Sequence, residues 1–107
     1  MANAFKRKSV TAGTSSANIL ASNVAASTEV VVIGLIASNK TATTANVTIE
    51  IIDSTATYSY GTDLPVPAGS SLSLLENKIV LMTGDNIKAK ASVASAIDVT
   101  MSYLEIT

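Results

Sequence analysis

The chain has 107 residues and a formal net charge of −1; 48% of its residues are hydrophobic, 14% charged and 4% aromatic. It contains no His, Cys or Trp, which excludes Cys/His zinc sites, Ser-His-Asp triads, thiol nucleophiles and any disulfide framework. The near-balance of charge leaves no basic or acidic excess of the kind that draws nucleic acid, lipid headgroups or an anionic substrate.

A chain of this length buries roughly 60–70% of its unfolded surface, enough for one core without staples. Residues 1–107 therefore read as a single domain. Basic residues come early, but small polar residues follow them, with no apolar stretch of about 7–15 residues to form a signal-peptide core. The longest apolar run, Val30 to Ala37, is far short of the roughly 20 residues that span a bilayer. The expectation is a soluble protein made in a cytoplasm without export, and no membrane partner.

In chain order, residues 5–11 and 17–21 are short strand candidates, and residues 1–17 read as an extended N-terminal arm or an edge strand. Ala25-Ala26 starts at most one helical turn. The run Glu29-Val30-Val31-Val32-Ile33-Gly34-Leu35-Ile36-Ala37 is apolar on both faces. Such a strand is either central in a sandwich or carries its second face into a partner. Gly34 in its middle predicts a bulge or close approach by another backbone. Asn39-Lys40-Thr41-Ala42-Thr43-Thr44 is a small polar connection, most economically a hairpin loop.

Val47, Ile49 and Ile51 then alternate with Asn46, Thr48 and Glu50, the period of a half-buried strand. Residues 57–60 form a shorter candidate. Pro65-Val66-Pro67-Ala68-Gly69 predicts an extended stretch and then a tight turn, because Pro fixes φ and Gly accepts a positive one. Residues 71–75 and 78–82 are further strands, and Thr83-Gly84-Asp85-Asn86 is a turn. Ile87, Ala89, Ala91 and Val93 alternate with Lys88, Lys90 and Ser92; Ile97, Val99, Met101 and Tyr103 alternate with Asp98, Thr100 and Ser102. Seven to nine short strands with frequent turns give an all-β fold, a two-layer antiparallel β-sandwich of immunoglobulin-like or jelly-roll type. Lys and Pro normally blunt exposed strand edges, and the chain has few of either. That predicts edges covered by neighbouring subunits.

Candidate sites are sparse. Phe5, Lys6, Arg7 and Lys8 either dock on a partner or form an edge strand whose charges discourage mispairing. Nucleic-acid binding calls for several basic stripes with stacking aromatics, and only Phe5 is adjacent. Glu50, Asp53, Asp63 and Asp85 have no Ca²⁺-loop spacing, and Asp in turns commonly serves backbone hydrogen bonding. A glycosidase pair would need a cleft lined by aromatics, for which one Phe and three Tyr are too few. Tyr58 and Tyr60, two residues apart on one strand face, either contact a glycan or pack across strands. Ser and Thr make up about a quarter of the chain, without a nucleophile-elbow or Ser-x-x-Lys pattern. Protein interfaces are depleted in Lys, Glu and Asp, so a low-charge hydroxyl surface suits an assembly subunit.

Three segments carry a family resemblance: the opening Met1-Ala2-Asn3-Ala4-Phe5-Lys6-Arg7-Lys8, the stretch Leu64-Pro65-Val66-Pro67-Ala68-Gly69-Ser70-Ser71-Leu72, and the region from Lys78 to Ser92 that closes in Asp98-Val99-Thr100-Met101-Ser102-Tyr103-Leu104-Glu105-Ile106. Together they are similar to small virion proteins of tailed phages, notably marine and cyanobacterial ones, over nearly the whole chain. The resemblance implies a non-enzymatic bacteriophage structural protein with a β-sandwich fold, located in the virion and present in many copies. Its expected partners are other virion proteins of the capsid or tail, and copies of itself. Capsid decoration is the first expectation, and a tail, neck or fibre-attachment subunit the second; a carbohydrate-binding or host-receptor module stands as the alternative. No catalytic residue, cofactor or metal is implied.

Overall fold

Alternating apolar residues make strands that each bury one face, and here they close into two stacked sheets. The computed structural model describes residues 3–53, 56–75 and 78–107. Its strands are β1 (Asn3–Thr11), β2 (Ala17–Asn18), β3 (Glu29–Asn39), β4 (Ala45–Ile52), β5 (Thr57–Val66), β6 (Ser71–Ser73), β7 (Ile79–Leu81), β8 (Asn86–Ala91) and β9 (Ile97–Ile106). One sheet, A, has the order β1-β9-β3-β6 with β7 also on β3, and the other, B, has the order β2-β8-β4-β5. All pairings are antiparallel. Among the sheet neighbours only β4 and β5 are consecutive in sequence; β6 and β7 follow one another along β3 in sheet A, and the remaining links pass from sheet to sheet. This is the jelly-roll form of the sandwich, not the immunoglobulin-like one.

The core lies between the sheets. Leu35, Ile97, Val99 and Met101 of sheet A meet Val47, Ile49 and Ile87 of sheet B, all fully buried. Each side chain of this kind contributes about 1.5–3 kcal/mol by leaving water. The β9 pattern follows the sequence period: Ile97, Val99, Met101 and Tyr103 are buried, while Asp98, Thr100, Ser102 and Leu104 remain partly exposed. Several candidate strands differ in length from the sequence reading. The 17–21 candidate shortens to two residues and the 57–60 candidate extends to Val66.

The predicted bulge at Gly34 is present. The β3–β9 register shifts between Val32 and Gly34, which lets both Ile33 and Gly34 face outward while Val32 and Leu35 are buried. Close backbone approach is not its cause, since a Cβ at Gly34 would meet only the Ser102 side chain, at 3.7 Å. The turns at Gly69 (φ 67) and Gly84 (φ 90) use the left-handed backbone as expected. At Ala25-Ala26 there is a turn and no helix.

The segment 39–44 is not a hairpin loop. It carries the chain from β3 in sheet A to β4 in sheet B, and buried Asn39 organises the crossing. Its side-chain amide donates to the carbonyls of Thr43 (2.8 Å) and Val66 (2.9 Å). Its carbonyl oxygen accepts from the Thr41 N–H (2.9 Å) and hydroxyl (2.7 Å). A local polar run cannot reveal this, because hairpins and inter-sheet crossings use the same turn residues.

Candidate functional site

The outer face of sheet A is where the structure departs most from an ordinary soluble surface. Residues directly opposite in an antiparallel ladder share a face, so the pairings Phe5–Leu104, Leu104–Val31 and Val31–Val80 draw one apolar row across four strands. Phe5 is 78% exposed and Val80 56%. The bulge adds Ile33 beside this row, and Ile36 and Met82 extend it at the two ends of β3. Of the exposed large hydrophobic side chains among the described residues, only Tyr58 and Val93 lie elsewhere. Exposed apolar residues scattered singly are ordinary, but a contiguous set on one sheet face marks a binding surface.

The basic run is divided by the pleat. Phe5 and Arg7 point outward with Leu104 and Ser102, whereas Lys6 and Lys8 lie opposite Tyr103 and Met101 on the inward side. Met1 and Ala2 lie outside the described residues. Asn3 to Ser9 are all exposed, and Val10 alone in β1 packs against the core. Lys6 donates to Glu105 at 2.9 Å; that hydrogen bond, and then the carboxylate charge, raise its pKa above the ordinary lysine value. Inward-turned charges on an edge strand are a known guard against strand addition.

The other long edge, β5, is guarded too. Its register slips twice against β4, Asp63 adopts a φ of 49°, and Pro65 removes a donor. Lys6 and Lys8 on β1 and Pro65 on β5 thus blunt the two long edges, few as such residues are in the chain. Beside these guarded edges, the outer face of sheet A carries the exposed apolar row.

The remaining candidates are separate from this surface. One β5 slip lies between the Ile49–Gly61 and Glu50–Ser59 pairs, which makes Tyr60 the bulged residue. Tyr60 packs against the core and lines a cleft of about 530 Å³ with Leu64, Leu72, Leu74, Lys78 and Ile79, whereas Tyr58 is 58% exposed. Glu50 accepts from Ser16 (2.8 Å), Asp53 from the Ala56 N–H (2.8 Å) and Asp85 from the Met82 N–H (2.9 Å). Among the described residues, no three His, Cys, Asp or Glu side chains are grouped to hold a metal ion. Asp98 accepts from Thr11 (2.7 Å) and Lys40 (3.1 Å), and these bonds hold its carboxyl below the ordinary range. Ile33, Leu104 and Val80 escaped the sequence reading as site residues. The two-faced apolar character of residues 29–37 is a local signal for Ile33 alone; Leu104 and Val80 join it only through strand pairing.

No family model and no curated protein sequence matches the chain. Solved structures share its fold at low identity. A pilus subunit of Bacillus endospore appendages, from a family of disulfide-linked pili, aligns with a TM-score of 0.56 and 20% identity over 97% of this chain and 84% of its own. A protein of infectious bursal disease virus, Gx strain, gives a TM-score of 0.50 and 14% identity over 95% of this chain and 29% of its own. A pentameric capsid protein from metagenomic phage sequences gives 0.45 and 18%, over 94% and 58%. The chain shares its sandwich fold with the endospore appendage protein and the bursal disease virus protein.

Proposed function

We infer that the protein is a non-enzymatic structural subunit of a bacteriophage virion, an accessory protein that decorates the capsid through protein–protein contacts. The carrying observation is the outer face of sheet A, where the row Phe5–Leu104–Val31–Val80 stays open to water. A chain with so few charged residues that leaves such a face uncovered is suited to burial against other protein. The tailed-phage resemblance of its sequence supports the virion, and a compact sandwich with guarded edges suits attachment to a lattice. A tail, neck or fibre-attachment subunit would use the same surface.

Mass spectrometry of gradient-purified particles, with immunogold electron microscopy against this chain, tests the reading. Label on the head in many copies is the expected result; label at the tail would move the protein to the second location. Particles that lack the chain altogether would overturn the proposal.

A second reading, a glycan-binding module, has one observation in its favour: exposed Tyr58 near the cleft lined by Tyr60. Loss of glycan or cell binding in a Tyr58→Ala/Tyr60→Ala double variant is its expected result, and unchanged binding removes it.

A further inference from the structure

We propose that the outer face of sheet A is covered by a second copy of this chain, in a two-fold dimer centred on Leu104 and locked by reciprocal Arg7–Glu29 ion pairs. This rests on the reading of that face as the assembly surface and names its occupant.

The charge pattern around the apolar row is what selects a second copy. Leu104 lies on β9, between β1 and β3. Arg7 is on β1 opposite Ser102, two residues from Leu104 in one direction; Glu29 is on β3 opposite Ile106, two residues away in the other. The two charges therefore stand diagonally across Leu104, each roughly 8 Å away by the ordinary strand spacing and rise. A two-fold axis in the plane of the interface, passing through Leu104 at right angles to that diagonal, sets Arg7 of each copy over Glu29 of the other. Face-to-face sheets pack about 10 Å apart, a gap that an Arg and a Glu side chain span together. The strands then cross steeply, as in orthogonal sheet packing.

Both charges are available for this. The ion pairs among the described residues are Lys6–Glu105 and Lys40–Asp98, so neither Arg7 nor Glu29 is engaged in one within its own copy. An isologous contact requires a patch complementary to itself. This patch has that property: an apolar centre flanked by opposite charges at equal and opposite offsets. Edge-to-edge pairing of two β1 strands lacks it, because Lys6, Arg7 and Lys8 would meet their own like charges.

The test is a charge swap on the full chain, read by sedimentation equilibrium or light scattering, with thermal melting as the folding control. The wild-type protein is expected to be a dimer. Arg7→Glu and Glu29→Arg, both at exposed positions, should each weaken the dimer at least about tenfold, and the double variant should restore most of it. Leu104→Asp and, at the more exposed position, Phe5→Asp should give folded monomers. A monomeric wild-type protein at high micromolar concentration would overturn the proposal, as would a dimer indifferent to both single reversals. If the wild-type chain is monomeric yet binds particles in a Leu104-dependent way, a different protein covers the face, and the dimer is disproved while the virion role stands. A charge-sensitive dimer in solution, with the chain absent from purified particles, would uphold the dimer and disprove the virion role.

Discussion

The Asn39 side-chain amide donates to the Val66 carbonyl at 2.9 Å, joining the last residue of β3 in one sheet to the last residue of β5 in the other. With its bonds to Thr41 and Thr43, this buried side chain closes one end of the sandwich. The satisfied network explains how a polar group survives burial there.

Asn39→Ala should therefore be costly despite removing only a small polar side chain. It removes the side-chain partner of the Val66 carbonyl and of the Thr41 N–H, while the Thr43 carbonyl keeps the Thr41 hydroxyl at 3.0 Å, for an expected loss of about 2–3 kcal/mol. A fall in Tm on the order of 10 °C is the corresponding observable. A change of a degree or two would mean that water takes over the site.

Leu35 and Met101 face each other in the core, fully buried on adjacent strands. Leu35→Ala should lower unfolding stability by about 2–5 kcal/mol, through lost burial and the cavity left behind. Urea denaturation should show a lower midpoint with an unchanged slope.

Two glycines should respond in opposite ways. At Gly34 a methyl group meets only ordinary contacts, so Gly34→Ala should stay within about 0.5 kcal/mol of the parent. At Gly84 the φ of 90° disfavours any Cβ, and Gly84→Ala should cost about 1–2 kcal/mol. Equal melting temperatures for the two variants would contradict this.

The pH dependence of stability should be confined to the extremes, since the chain has no His or Cys to titrate near neutrality. Asp98 has a depressed folded pKa, first from the Thr11 hydrogen bond and then from Lys40. Its contribution is present above the unfolded carboxylate value of about 4 and is lost as pH falls through the folded one. Asp98→Asn should remove part of the acid-side slope, worth at most about 1 kcal/mol for so exposed a pair. Lys6, raised by Glu105, acts at the other end. Its contribution holds below the unfolded lysine value and disappears as pH rises through the folded one. Melting curves of the parent and both neutralised variants across pH check the two signs.

Much of the fold was legible from side-chain period. Alternation in 46–51, 87–93 and 97–103 placed Val47, Ile49, Ile87, Ala89, Val99 and Met101 on inward faces, and all are buried. Pleat geometry alone fixes that division once a strand forms. The turns at Gly69 and Gly84 were also readable, because glycine accepts the positive φ there, and so was the Gly34 bulge, since glycine inside a strand commonly marks one.

What the sequence by itself determined was a charge-poor, all-β chain with no machinery for His or Cys chemistry, and with one strand, residues 29–37, apolar on both sides. What only the tertiary structure decided was which partners those strands take. The passage of 39–44 between sheets, the split of Lys6-Arg7-Lys8 between two faces, and the meeting of Phe5, Leu104, Val31 and Val80 depend on pairings between residues distant in the chain. A local pattern specifies which way a side chain points; register and strand order, fixed by closing the common core, specify what it points beside.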